Sequence, residues 1–213
     1  MNEDKKINNK KQKSKRTVIV IFALCIVIAI SYFIIESINK PDRMDNAPGT
    51  MYSDKNYSYV FYPTNFDLDV TEDEWYMGLN REIYYKFGSV SYAISEKDAE
   101  SSAVLAFFVK YFDTAIAGDT ETYNTFFTEN YYKTNKPYVQ FAPQMIYNIE
   151  VEERSITQNS DGTTTYGFYV TYMIYKNDGT FRNDIESDAS KTLYYELIEY
   201  ADGDVMIDKI TKK

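Results

Sequence analysis

The chain has 213 residues, 44% of them apolar and 17% aromatic, with 22 Tyr and 13 Phe against 8 Gly and 5 Pro, which excludes a low-complexity or collagen-like chain. It has no His and one Cys, so Ser-His-Asp and Cys-His catalysis, His-ligated or Cys-cluster metal sites and an intramolecular disulfide are excluded by inventory. The formal charge is −9, and it is unevenly spread: residues 1–16 hold seven Lys or Arg against Glu3 and Asp4, a local +5, which leaves residues 36–213 at −14. Between them Thr17 to Ile35 is uncharged and mostly aliphatic or aromatic. As a helix this stretch is about 28 Å long at roughly 1.5 Å per residue, enough to span the hydrocarbon of a bilayer.

The basic flank before that stretch and the acidic one after it predict a single-pass anchor, with residues 1–16 in the cytoplasm and residue 36 onward outside the cell membrane. A cleaved signal peptide fits less well, because Tyr32 to Ile35 continue the apolar run past Ala29-Ile30-Ser31. Leu24 before Cys25 does not suit a lipoprotein signal, so Cys25 reads as a small apolar packing residue, and a pilin-type leader lacks its Gly and Glu. Residues 36–56, with Pro41, Pro48, Gly49 and several Asn and Asp, have the composition of a tether.

From residue 57 the texture changes to dense Tyr and Phe, and Tyr57 to Tyr62 reads as a short strand closed by Pro63. The acids from Asp67 to Glu74 fail the EF-hand pattern, since Glu72 stands at its glycine position and Gly78 at its closing glutamate. Thr71-x-x-Glu74 instead reads as a capping box for a short helix through Leu79. Residues 81–95 alternate around Gly88 as a hairpin, so residues 57–94 form an appended segment of strands and a short helix.

Ser95-x-x-Asp98 opens the strongest helix. Val104, Phe107, Phe108, Tyr111, Phe112 and Ala115 make one apolar stripe over about five turns, and Gly118 is placed to end it. Asp119 or Thr120 caps a shorter helix bearing Tyr123, Phe126 and Phe127, and Pro137 and Pro143 bracket an irregular joint. Four strands follow: one from Met145 through Val151, a central one over residues 163–176, and two over residues 193–200 and 204–210, separated by Asp-Gly pairs suited to turns.

The long-helix stripe, the Ala117-Gly118-Asp119 break, Tyr123 and Phe126-Phe127 after it, and the closing strand Val205 to Ile210 together resemble the nuclear transport factor 2-like superfamily, also called cystatin-like or SnoaL-like, over residues 95–213. The resemblance implies an α+β fold in which a curved antiparallel sheet packs on the long helix and leaves a cone-shaped cavity open at one end. Residues 57–94 are an addition to that pattern. The resemblance also implies that Asp113, Asp119 and Tyr123 are the candidates to reach the cavity; as purely structural residues they would be an exposed helix position, a helix cap and a core aromatic.

A short basic tail, one span, a tether and such a domain resemble the bitopic assembly factors of conjugation and type IV secretion machines, which act through protein contacts. The expectation is therefore a membrane-anchored extracytoplasmic binding or assembly module with no catalytic, cofactor or metal residues, partnered by the membrane and by a protein or a second copy. Its alternative is a pocket for a small amphipathic ligand, or a carboxylate and tyrosine enzyme using the cone. No phosphate-binding glycine loop is present, and the acidic outer part repels nucleic acid.

Overall fold

A computed structural model describes residues 51–54 and 57–213, with side chains from Tyr59 onward. The expected tail, the span Thr17–Ile35 and most of the tether lie outside the described residues, among which no helix is long and apolar enough to cross a membrane. The chain divides into Met1–Asn46 and Ala47–Lys213, and everything described belongs to the second unit.

Strands β1 (Met51–Asp54) and β2 (Tyr57–Val60) pair antiparallel as a separate two-stranded sheet. A 3-10 turn at Val70–Glu72 leads into α1 (Glu74–Met77). The cap of α1 is Asp73, whose carboxylate accepts from the Tyr76 N–H at 2.9 Å, and not Thr71 as the spacing suggests. Thr71 is itself wound into the 3-10 turn and donates to Asp69. Strands β3 (Ile83–Phe87) and β4 (Val90–Ala93) form the expected hairpin.

The Ser95 capping box is present in full and opens α2 (Glu96–Ser101), but the helix expected to run unbroken to Gly118 is divided. Ser102 is extended, at φ −143° and ψ 116°, and its hydroxyl accepts from the Leu105 N–H to cap α3 (Ala103–Ala117). Serine competes for backbone groups in this way, and a second cap here re-aims the chain so that the α3 stripe meets the sheet. Gly118 ends α3 at φ 71°, and a Cβ there would lie 2.7 Å from the Pro143 nitrogen, so both conformation and space require glycine. Two short helices, α4 (Thr120–Asn124) and α5 (Glu129–Tyr132), precede the joint.

Strands β5 (Met145–Gln158), β6 (Thr164–Tyr175), β7 (Leu193–Glu199) and β8 (Val205–Lys212) pair antiparallel in sequence order, with β6 inside the sheet as its two apolar faces predict. The sheet as a whole is mixed and not antiparallel. Its order is β4-β3-β5-β6-β7-β8, and β3 lies parallel to β5, from Ile83 opposite Ile149 to Phe87 opposite Glu153. Strands β3 and β4 of the appended segment thus join the same sheet, while β2 does not. The long helical crossover between β3 and β5 is the connection that a parallel pair needs.

Alternation along the strands gives the sheet two used faces. On one, α3 packs its stripe: Phe108 meets Phe168 edge-on at 4.9 Å, Phe112 meets Tyr172 at 5.5 Å and Tyr111 meets Tyr195 at 6.0 Å. On the other, Tyr76 packs with Met145, Tyr147 and Tyr175 and donates its hydroxyl to the Ile146 carbonyl at 3.0 Å. The chemistry-bearing side chains lie on the first face.

Candidate functional site

Tyr111 is on the inward stripe of α3, and the turn at Gly118 followed by the Asp119 cap sets α4 so that Tyr123 comes back against it. The two hydroxyls are 2.6 Å apart, and the Tyr111 hydroxyl also meets that of Tyr195 on β7 at 3.1 Å. Three O–H groups share two hydrogen bonds, so one O–H proton of the trio is left over whichever way they point. Burial raises all three phenols well above their ordinary pKa, so they are neutral donors at physiological pH.

Beside the trio runs the loop of residues 177–192 between β6 and β7. It is built on Asn177, which is fully buried: its amide donates to the carbonyls of Arg182 and Ile185, each at 2.9 Å, and its side-chain oxygen accepts from the Gly179 N–H. Gly179 lies on the Phe61 ring at φ 78°, where an added Cβ would come within 2.9 Å of that ring. Tyr138 donates to the Phe181 carbonyl at 2.9 Å and stacks on the Phe181 ring. These contacts turn Arg182 inward, where it is 8% exposed.

Arg182 donates from Nε to Asp184 at 2.6 Å, from Nη2 to the second Asp184 oxygen at 3.3 Å and from Nη1 to the Tyr172 hydroxyl at 3.0 Å. Lys191 also reaches Asp184, at 2.6 Å. Burial by itself raises the Asp184 carboxyl, but the hydrogen bonds from Arg182 and Lys191 outweigh it and hold the group at about 2. Burial likewise opposes the Arg182 charge and is outweighed by the hydrogen bonds and charge of Asp184, so the guanidinium stays charged.

These groups line a cavity of about 340 Å³. The tyrosine trio, Tyr172 and Arg182 form its polar floor, Tyr138, Phe181 and Leu193 give apolar wall, and the exposed Asn135, Thr211 and Lys212 mark its mouth. Of the three residues nominated from sequence, only Tyr123 lines this cavity. Asp119 is exposed and caps α4 by accepting from the Thr122 N–H at 3.0 Å; the Thr122 side chain and then its backbone N–H lower the pKa of the carboxyl. Asp113 is exposed on the outer side of α3 beside a different hollow, with Asp67, Val70 and Pro143, where partial desolvation raises its carboxyl.

Arg182, Asp184 and Tyr172 stand in no motif that marks them as site residues in the sequence. Arg182 follows Phe181 in a loop otherwise rich in Asn, Asp and Ser, and that adjacency was its one local signal. Tyr111 and Tyr195 are legible only as core positions, because alternation shows that a tyrosine faces inward and not that its hydroxyl meets another.

The fold and site define an α+β domain with a mixed six-stranded sheet and an arginine and tyrosine cavity on its helix-covered face. Comparison with family models, curated proteins and solved structures finds no match.

Proposed function

We propose that residues 57–213 are the extracytoplasmic binding domain of a single-pass membrane protein, tethered by residues 36–56 to a span at 17–35, and that the cavity binds a small amphipathic molecule without transforming it. One observation carries this reading: a buried, charged Arg182 lines a cavity walled by aromatic rings. The helix-on-sheet packing and the cavity are also what the likeness to the nuclear transport factor 2-like superfamily implies.

The electrostatics favour binding over acid-base chemistry. The one carboxylate lining the cavity, Asp184, is engaged by two cations and held at about 2, which makes it a poor base near neutrality. The buried phenols are raised and stay protonated. The full chain should retain small amphipathic molecules, the neutral probe 1-naphthol among them, in ligand-observed NMR. Leu193→Phe, which extends a ring into the cavity, should abolish the signal while the protein remains folded by circular dichroism. Absence of retention by the wild-type chain would overturn the reading.

A second reading, docking of a protein, is favoured by the outer edge of β4. Phe87, Val90 and Tyr92 of that hairpin are exposed, at 58%, 56% and 37%, and the outer backbone of β4 pairs with no strand among the described residues. Such an edge can accept an extra strand.

A further inference from the structure

We infer that the ligand of the cavity is a small organic monocarboxylate with an aromatic or short aliphatic body, its carboxylate held by Arg182 and Tyr172. The inference rests on the reading of the cavity as a binding site and adds the chemical class of what enters it.

Donors outnumber acceptors on the floor. A guanidinium has five N–H groups, and three of those on Arg182 are engaged by Asp184 and Tyr172, so two have no partner among the described residues. Tyr172 accepts from Arg182 and keeps its own O–H proton to give, and the tyrosine trio leaves one more. A ligand that brings acceptors satisfies these groups, whereas one that brings donors competes with Arg182 and Lys191, which already hold both Asp184 oxygens.

Charge points the same way. Arg182 and Lys191 share Asp184, which leaves this cluster one positive charge in excess, with Lys191 partly exposed and outside the cavity lining, and Lys212 adds another at the mouth. A single anion balances that excess. A cation repeats it, a neutral molecule leaves it uncompensated, and a dianion carries a second charge out of water with no buried partner. A planar carboxylate also fits the fork of a guanidinium.

The walls set the body of the molecule. Phe181 stands edge-on to Tyr123 at 5.3 Å and stacks with Tyr138 at 5.9 Å, so flat apolar groups are the natural filling. The cavity of about 340 Å³ has room for about ten non-hydrogen atoms at the roughly 30 Å³ that a water molecule occupies in the liquid. Phenylacetate has that size.

The test is calorimetric titration of the full chain with phenylacetate, the uncharged phenylacetamide and the dianionic phenyl phosphate. Phenylacetate should bind at least about tenfold more tightly than either, as expected when a charged hydrogen bond is lost or a second charge is desolvated. Arg182→Lys keeps the charge and loses the fork, and should weaken phenylacetate by about tenfold. Tyr172→Phe keeps the ring and the packing, and should weaken it by about three- to tenfold, so the test holds even where the arginine variant unfolds. Amide binding as tight as acid binding, or phosphate binding tighter, overturns the carboxylate class while the cavity reading stands. If these three and 1-naphthol all fail to bind, the cavity reading itself falls.

Discussion

Asp184 shows how one carboxylate ties stability to the site. Its pKa falls from 3.8 to about 2 on folding, so its contribution is present above the unfolded value and is lost as pH falls through the folded one. With a side chain 24% exposed, and allowing for solvent screening, that contribution is about 1–2 kcal/mol. Asp184→Asn leaves the buried Arg182 without its counter-charge and should destabilise the chain by about 3 kcal/mol at pH 6. In urea unfolding the gap between wild type and variant should narrow by about 1–2 kcal/mol between pH 5 and pH 2. A gap independent of pH would mean that Asp184 titrates alike in the folded and unfolded chain.

At the scale of elements, the appended segment is part of the domain and not an accessory. β3 covers the edge of β5 through register pairs from Ile83 to Phe87, α1 covers the second sheet face through Tyr76, and Phe61 underlies the loop that carries Arg182. Losing the segment would bare Met145, Tyr147 and Tyr175, open a long strand edge and remove a brace of the cavity. A chain starting at Ser95 should aggregate, or melt at least about 10 °C below one starting at Met51, since even about 2 kcal/mol shifts a domain of this size by several degrees. Size-exclusion chromatography and thermal unfolding read this directly, and equal melting temperatures would show that the segment merely leans on the sheet.

At the scale of the whole molecule, the proposal places the mouth of the cavity outside the cell and the +5 tail inside. Asp161 sits in an exposed turn, and Cys25 is the only native cysteine. In a Cys25→Ala background, Asp161→Cys should react with a membrane-impermeant maleimide added to intact cells. Labelling that needs permeabilised cells would reverse the topology and with it the extracytoplasmic reading. Outward placement suits the ligand inferred above, because a small carboxylate reaches such a cavity without crossing the bilayer.

Local pattern carried much of this protein. Periods of two and of 3.6 residues mark β5 to β8 and the α3 stripe, and the Ser95 box, Gly118 and the Asp119 cap are backbone demands that only particular residues meet. Inventory was equally decisive, since a chain without His has no access to the chemistry that imidazole provides. What periodicity cannot carry is pairing between distant segments: whether β3 lies parallel or antiparallel to β5 depends on the path of the crossover. The break at Ser102 escaped for a related reason, because an uninterrupted apolar stripe is compatible with both a straight and a re-capped helix. The cavity belongs wholly to tertiary structure. Tyr111, Tyr123, Tyr172, Arg182 and Tyr195 come from two helices, two strands and a loop, and their hydroxyl and guanidinium groups become a site only when packing brings them together and removes water.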